Sequence, residues 1–178
     1  MRALEIGSQL QLFVDDWLID TMSGGLSLKL HSPRPAEVVL RYDKPWEGRW
    51  SGYASVLRDD DRCRMYYRAG LVEAALGDAQ WESVCYAESA DGIHWEKPEL
   101  GLFEYQGSSK NNIVWKGVGT HCSIGAFKDT NPDCQPAERY KALSSDGYQK
   151  PVYAFGSPDG IHWHLIQKEP VITEYDGA

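Results

Sequence analysis

Two adjacent carboxylates, Asp15 and Asp16 in "FVDDWLI", are the paired acids that lie in an apolar stretch. In a strand, alternation turns one of them inward and the other outward. An aspartate buried against Phe13, Val14 and Trp17 would suit a general acid or base working near neutrality, whereas the competing reading is a strand-end aspartate bonded to a nearby turn. His162 and His164 stand two apart, which puts both imidazoles on one face of a strand. No carboxylate adjoins them, so neither a metal nor a cofactor is expected. Arg68 closes "MYYRAG" ahead of a long connection, where a fixed guanidinium can hold a sugar hydroxyl, a carboxylate or a phosphate, or pair with Glu73 or Glu82. Cys63, Cys85, Cys122 and Cys134 show neither C-x-x-C nor Cys/His ligand spacing and read as free thiols in or near sheet cores.

The elements that must position these groups are marked by a repeat. The phrase Ser-x-Asp-Gly-Ile-His-Trp occurs in "CYAESADGIHWEKPELG" and in "VYAFGSPDGIHWHLIQK", 68 residues apart. Each copy is preceded by an apolar run, an acidic turn and a strand-like segment, "YASVLRDDDRCRMYYRAG" in the first unit and "SIGAFKD", "TNPDCQPAE" and "RYKALSS" in the second. Each unit therefore reads as four short strands in an up-and-down meander, with "IHWEKP" and "IHWHLIQ" as the fourth. Asp-Gly supplies the turn between the third and fourth strands, and the Ser and Asp side chains can bond its amides. Trp95 and Trp163 are expected to wedge between neighbouring sheets. Asp91, Asp159, His94 and His162 are on this reading parts of a folding device. Helix signals are scarce; "GLVEAALGDAQW" is the best and is short. A four-stranded unit repeated at a fixed period predicts an all-β fold of β-propeller-type blades. The blades cover 48–100 and 112–173, and residues 1–45 add strands of a partial third, about two and a half blades in all.

The 178 residues can bury a real core, and 42% apolar with 25% charged residues is a globular composition. The net charge of −8, without a Lys/Arg run, argues against a nucleic-acid or anionic-membrane partner. The N-terminus lacks a basic region followed by an unbroken apolar stretch, so the chain as written reads as cytoplasmic, with secretion or a periplasmic location open if a leader was removed. Seven Trp and ten Tyr suit sheet cores and flat stacking surfaces.

"LQLFVDDWLID", "YASVLRDDDRCRMYYRAG", "CYAESADGIHWEKPELG", "NNIVW" and "FKDTNPDCQPAERYKAL" together resemble the N-terminal part of five-bladed β-propeller proteins related to glycoside hydrolase families 43 and 32. The resemblance implies hydrolysis of a glycosidic bond by carboxylates around a central funnel, with the general acid on a later blade. It also implies that the chain corresponds to about half of such a propeller and is inactive alone. Either further blades follow Ala178, or copies form a homo-oligomer that covers the open sheet faces. In such a fold the first strand of each blade is innermost and the residues leading into it line the funnel mouth. Laying one unit on the other puts Trp50, Ser51, Gly52 and Tyr53 opposite Thr120, His121, Cys122 and Ser123. The related families carry a catalytic Asp at such a position, and here there is none. Asp15, Asp16 and His121 are accordingly the candidate catalytic residues, His121 either holding a hydroxyl or sharing in proton transfer. Trp50, Tyr53 and Arg68 are the candidate sugar-binding residues, the aromatic pair as a stacking face. Asp129 resembles the Arg-Asp-Pro stabiliser of family 32, but the overlay equates it with Asp59, where a hairpin turn begins. Three functions follow in order: part of a glycoside hydrolase, a non-catalytic carbohydrate-binding propeller, and an assembly module pairing through exposed blades.

Overall fold

The computed structural model describes residues 4–12, 14–70, 82–121, 124–147 and 150–173. The segment 70–81, which carries the best of the scarce helix signals, lies almost wholly outside these residues, as do Phe13, Cys122 and Ser123. The chain divides into two units, Met1–Glu37 and Val38–Ala178. Among its described residues the first unit contains turns and irregular backbone and no strand, so the partial blade expected before residue 45 is not formed there. The apolar positions of that stretch do not alternate against any partner; Leu10, Leu12, Val14 and Trp17 are all exposed.

The second unit is all-β, with two four-stranded antiparallel sheets. The first sheet runs β1 (Gly52–Asp59), β2 (Arg62–Gly70), β3 (Glu82–Ser89) and β4 (Ile113–Trp115), each strand beside the next. The second repeats the order with β5 (Phe127–Lys128), β6 (Tyr140–Ser145), β7 (Val152–Ser157) and β8 (His164–Leu165). Pro136–Glu138 forms a single 3-10 turn. Among the described residues no helix is long and apolar enough to cross a membrane.

The repeated phrase builds the same turn twice. Ser89 Oγ accepts from the Gly92 amide at 2.9 Å, and Asp91 Oδ1 accepts from the amides of Ile93 and His94, both at 2.8 Å. Asp91 Oδ2 meets His94 Nδ1 at 2.6 Å, and Trp95 Nε1 donates to the Gly92 carbonyl. Ser157, Asp159, Gly160, His162 and Trp163 reproduce every one of these bonds. The backbone of Gly92 and Gly160 is left-handed, φ 79° and 76°, the conformation that glycine adopts without steric cost. His94 places its ring on Asp91, and the amides bonded to that carboxylate add to the effect, so Asp91 is held well below the usual carboxylate range. At Asp159 burial pushes upward, but the His162 and Ile161 amides and the His162 ring outweigh it, bringing the carboxyl down to about 2.

After the first turn the sheet does not continue as "IHWEKP". Glu96 makes one bridge to Glu88, then the chain leaves and returns seventeen residues later as β4. Pro98 lacks the amide a ladder needs, so the edge cannot extend there. The stretch assigned to the start of the second blade at 112 thus completes the first sheet. The second sheet has the same break: β8 pairs with Phe155 and Gly156, and Ile172 later bridges Val152.

One core is shared by both sheets. Tyr66, Val84, Tyr86 and Val114 of the first meet Tyr140, Ala142, Phe155 and Trp163 of the second. Trp163 stands edge-on to Tyr66 with ring centroids 5.6 Å apart, and Tyr66 donates its hydroxyl to the Gly160 carbonyl. Buried Asp59 receives Arg64 from its own sheet and Lys128 and Tyr140 from the other. On the far face of the first sheet Met65, Tyr67, Cys85 and Ile113 are covered by Leu40, Trp46, Trp95, Phe103 and Tyr105. Trp95 therefore packs on its own sheet's outer core, not between two sheets. Register equates Tyr66, Val84 and Tyr86 with Leu143, Val152 and Ala154. The face of the first sheet that the second covers corresponds to the face of the second that carries exposed Phe127 and Leu143.

Candidate functional site

The start of β1, the end of β2 and the start of β3 meet at one end of the first sheet, because neighbours run antiparallel: Gly52 pairs with Arg68, and Gly70 with Glu82. A cavity of about 510 Å³ lies there, lined by Arg49, Trp50, Ser51, Gly52, Tyr53, Arg68, Glu82 and His121. The structure thus brings Trp50, Tyr53, Arg68 and His121 to one place. Cys122 and Ser123, which complete the predicted mouth, lie outside the described residues.

At the floor is a residue that the sequence shows only as a partner for Arg68. Glu82, 3% exposed, accepts from Arg68 Nη2 at 2.8 Å and from His121 Nδ1 at 2.9 Å. A carboxylate can only accept, so Nδ1 carries a proton and Nε2 is the nitrogen left for a ligand. Glu82 was legible as the first residue of "ESVCYAES", since a third strand begins at the end where the first begins. Arg68 Nε is buried and has no hydrogen-bond partner among the described residues. The guanidinium carbon lies 5.7 Å from the centre of the Tyr53 ring, within cation–π range.

Tyr53 sits at a register shift between Gly52 and Ser55 with φ 50°, a left-handed backbone that an aromatic residue adopts only where its surroundings impose it. Its ring is exposed, as is that of Trp50. Trp50 is held from behind: its amide bonds Gly70 O at 3.1 Å, and the Gly70 amide bonds Glu47 O at 3.0 Å. A side chain at Gly70 would press on Trp50 Cβ at 3.2 Å, so glycine permits this close approach. Glu47 is fully buried, accepting from Tyr67 Oη at 2.6 Å and pairing with Lys97 at 2.7 Å. That buried charge anchors the segment that presents Arg49, Trp50 and Ser51.

Asp15 and Asp16 do not form the expected half-buried pair. Both are exposed, and Asp15 accepts from the Trp17 amide at 3.0 Å in a local turn. They belong to the first unit. Asp129 is also a turn residue, accepting from the Asn131 amide at 2.9 Å and from Lys141 at 2.8 Å. A smaller cavity of about 310 Å³ at the first Ser-Asp turn is lined by Asp61, Arg62, Glu88, Asp91, His94 and Glu96, whose charges are largely paired with each other. His162 is engaged by Asp159, and among the described residues no group of three His, Cys, Asp or Glu could hold a metal ion.

Compared with known proteins, the chain matches no protein-family model, no curated protein and no solved structure.

Proposed function

We propose that the chain is a carbohydrate-active protein of propeller type, and that the cavity at the head of β1 is a sugar-binding groove. The observation that carries this reading is Tyr53: an exposed ring on a left-handed backbone, next to exposed Trp50 and above a buried Arg68–Glu82 pair. Flat aromatic faces bind the C–H side of sugar rings, and a fixed guanidinium, carboxylate and imidazole can bond the hydroxyls at the rim. The propeller reading is supported by the repeated four-strand unit, by the first strands lying side by side, with Ser55 Oγ bonding Ile124 O at 2.6 Å, and by the open face of the second sheet.

Among the described residues Glu82 is the carboxylate in this groove, and it is bonded to Arg68 and His121. Glycoside hydrolysis uses two carboxyl groups. Binding is therefore the reading that the groove supports best. A second reading, hydrolysis, implied by the resemblance to families 43 and 32, draws support from His121, whose Nδ1 is held by Glu82 and whose Nε2 is thereby left for a ligand. Titration of Trp fluorescence with neutral and acidic oligosaccharides tests binding. Trp50→Ala should weaken it about tenfold, the scale of a lost aromatic contact. Unchanged affinity in that variant, or no response to any saccharide, would refute the proposed groove. Turnover of an aryl glycoside that disappears in His121→Asn would instead establish a hydrolase.

A further inference from the structure

The charges around the groove do not balance. Among the described residues its lining has two guanidinium groups, Arg49 and Arg68, against the single carboxylate Glu82, which Arg68 and His121 already engage. Arg49 is exposed and bonds no described side chain. The adjoining cavity, about 640 Å³, shares Arg49 and Ser51 with the groove and adds Arg41 and Asp43. Asp43 pairs with Lys97 at 3.3 Å, while the Arg41 side chain bonds no described residue. The rim leading from Trp50 thus presents two guanidinium groups without a side-chain partner among the described residues, on a chain whose net charge is −8. Such a local excess of cation attracts an anion against the field of the rest of the protein.

Resting on the sugar-binding reading above, we propose that the groove takes an acidic saccharide: one ring stacks on Trp50 and Tyr53, and an oxyanion on it or on the next residue is held by Arg49. A guanidinium offers two parallel N–H groups to the two oxygens of a carboxylate, or to those of a sulfate or phosphate ester. Arg68 is fixed by Glu82 and positions the ring, and Arg49 reads the charge. A neutral saccharide keeps the stacking contact and leaves Arg49 in water.

The test is calorimetric or fluorescence titration of the full chain with three probes of matched length: a neutral xylo-oligosaccharide, an oligogalacturonate and a sulfated oligosaccharide. The acidic probes should bind about tenfold or more tightly than the neutral one at low salt, as expected for one charge-assisted contact, and the advantage should shrink as salt rises. Arg49→Gln, at an exposed position, should bring the ratio of acidic to neutral affinity close to one. Preference for the oligogalacturonate over the sulfated probe identifies a carboxylate as the group held, and the reverse identifies an ester. If the neutral probe binds as tightly as both acidic ones, or Arg49→Gln leaves the ratio intact, the acidic preference is refuted and the carbohydrate reading stands. If none of the three binds, both fail.

Discussion

Replacing Glu82 with Gln keeps the shape of the side chain and one acceptor but removes the charge on which Arg68 rests. The Arg68 side chain is 11% exposed and that of Glu82 3%, so surface-type screening does not apply. Breaking a buried pair by neutralising one partner costs about 3–5 kcal/mol, because the other charge remains desolvated. The low end of that range is expected here, since Arg68 keeps its position over the Tyr53 ring and a margin of solvent. About 3 kcal/mol corresponds to a fall in Tm of about 6–12 °C for a domain of this size. Thermal and urea unfolding followed by circular dichroism measure it, alongside a saccharide titration. The double variant Arg68→Met/Glu82→Leu removes both charges and should recover most of the stability while binding stays lost. That combination separates the role of the pair in binding from its role in folding. A Tm for Glu82→Gln within about 2 °C of the parent would refute the burial argument. So would a double variant as unstable as the single one.

The twin turns give a matched comparison: Gly92→Ala and Gly160→Ala both force a left-handed alanine, about 1 kcal/mol each. At Gly160, however, a Cβ would lie 2.7 Å from Tyr66 Oη, against 3.8 Å from Cys63 Sγ at Gly92. Gly160→Ala should therefore be less stable than Gly92→Ala by about 1–3 kcal/mol in urea unfolding, and equal costs would contradict the wedge between the sheets. Asp159, lowered from 3.8 to about 2, contributes stability that is complete above the unfolded value and is lost as pH falls through the folded one. The urea midpoint should decline between those two values in the parent, and Asp159→Asn should flatten that decline; an unaltered acid limb would show that the turn carboxylate is not the group titrating. Tyr53→Gly relieves the left-handed backbone by about 1 kcal/mol, so unfolding should show no loss of stability while saccharide affinity falls. Loss of stability with intact binding would reverse the assignment of Tyr53.

Much of the fold is legible residue by residue because it is local. Strand content in "RCRMYYR" and "ESVCYAES" follows from short runs rich in β-branched and aromatic residues, and Ser-x-Asp-Gly-x-x-Trp carries its own donors and acceptors within seven residues, so it forms the same turn at 89–95 and 157–163. The same phrase alone does not decide what each Trp covers. Trp163 enters the core between the sheets and Trp95 the outer face, because each ring meets whatever the rest of the chain has packed beside it.

The site depended on tertiary structure more heavily. Trp50, Tyr53 and His121 are singled out by laying one repeat on the other, and Arg68 by its place at the end of the second strand, but Glu82 becomes the floor of the cavity only when antiparallel pairing returns β3 to the end where β1 begins. The aspartate pair shows the converse. Alternation in "FVDDWLI" predicts one buried carboxylate, yet no strand forms there among the described residues and both side chains are exposed. A period-two pattern buries a face only when a neighbouring strand supplies hydrogen bonds and a second layer covers it. Turn chemistry is satisfied within a few residues and can be read in order along the chain. Burial and the meeting of charges need partners 14 to 39 residues away, as Arg68 and His121 are from Glu82, and those only the folded chain brings together.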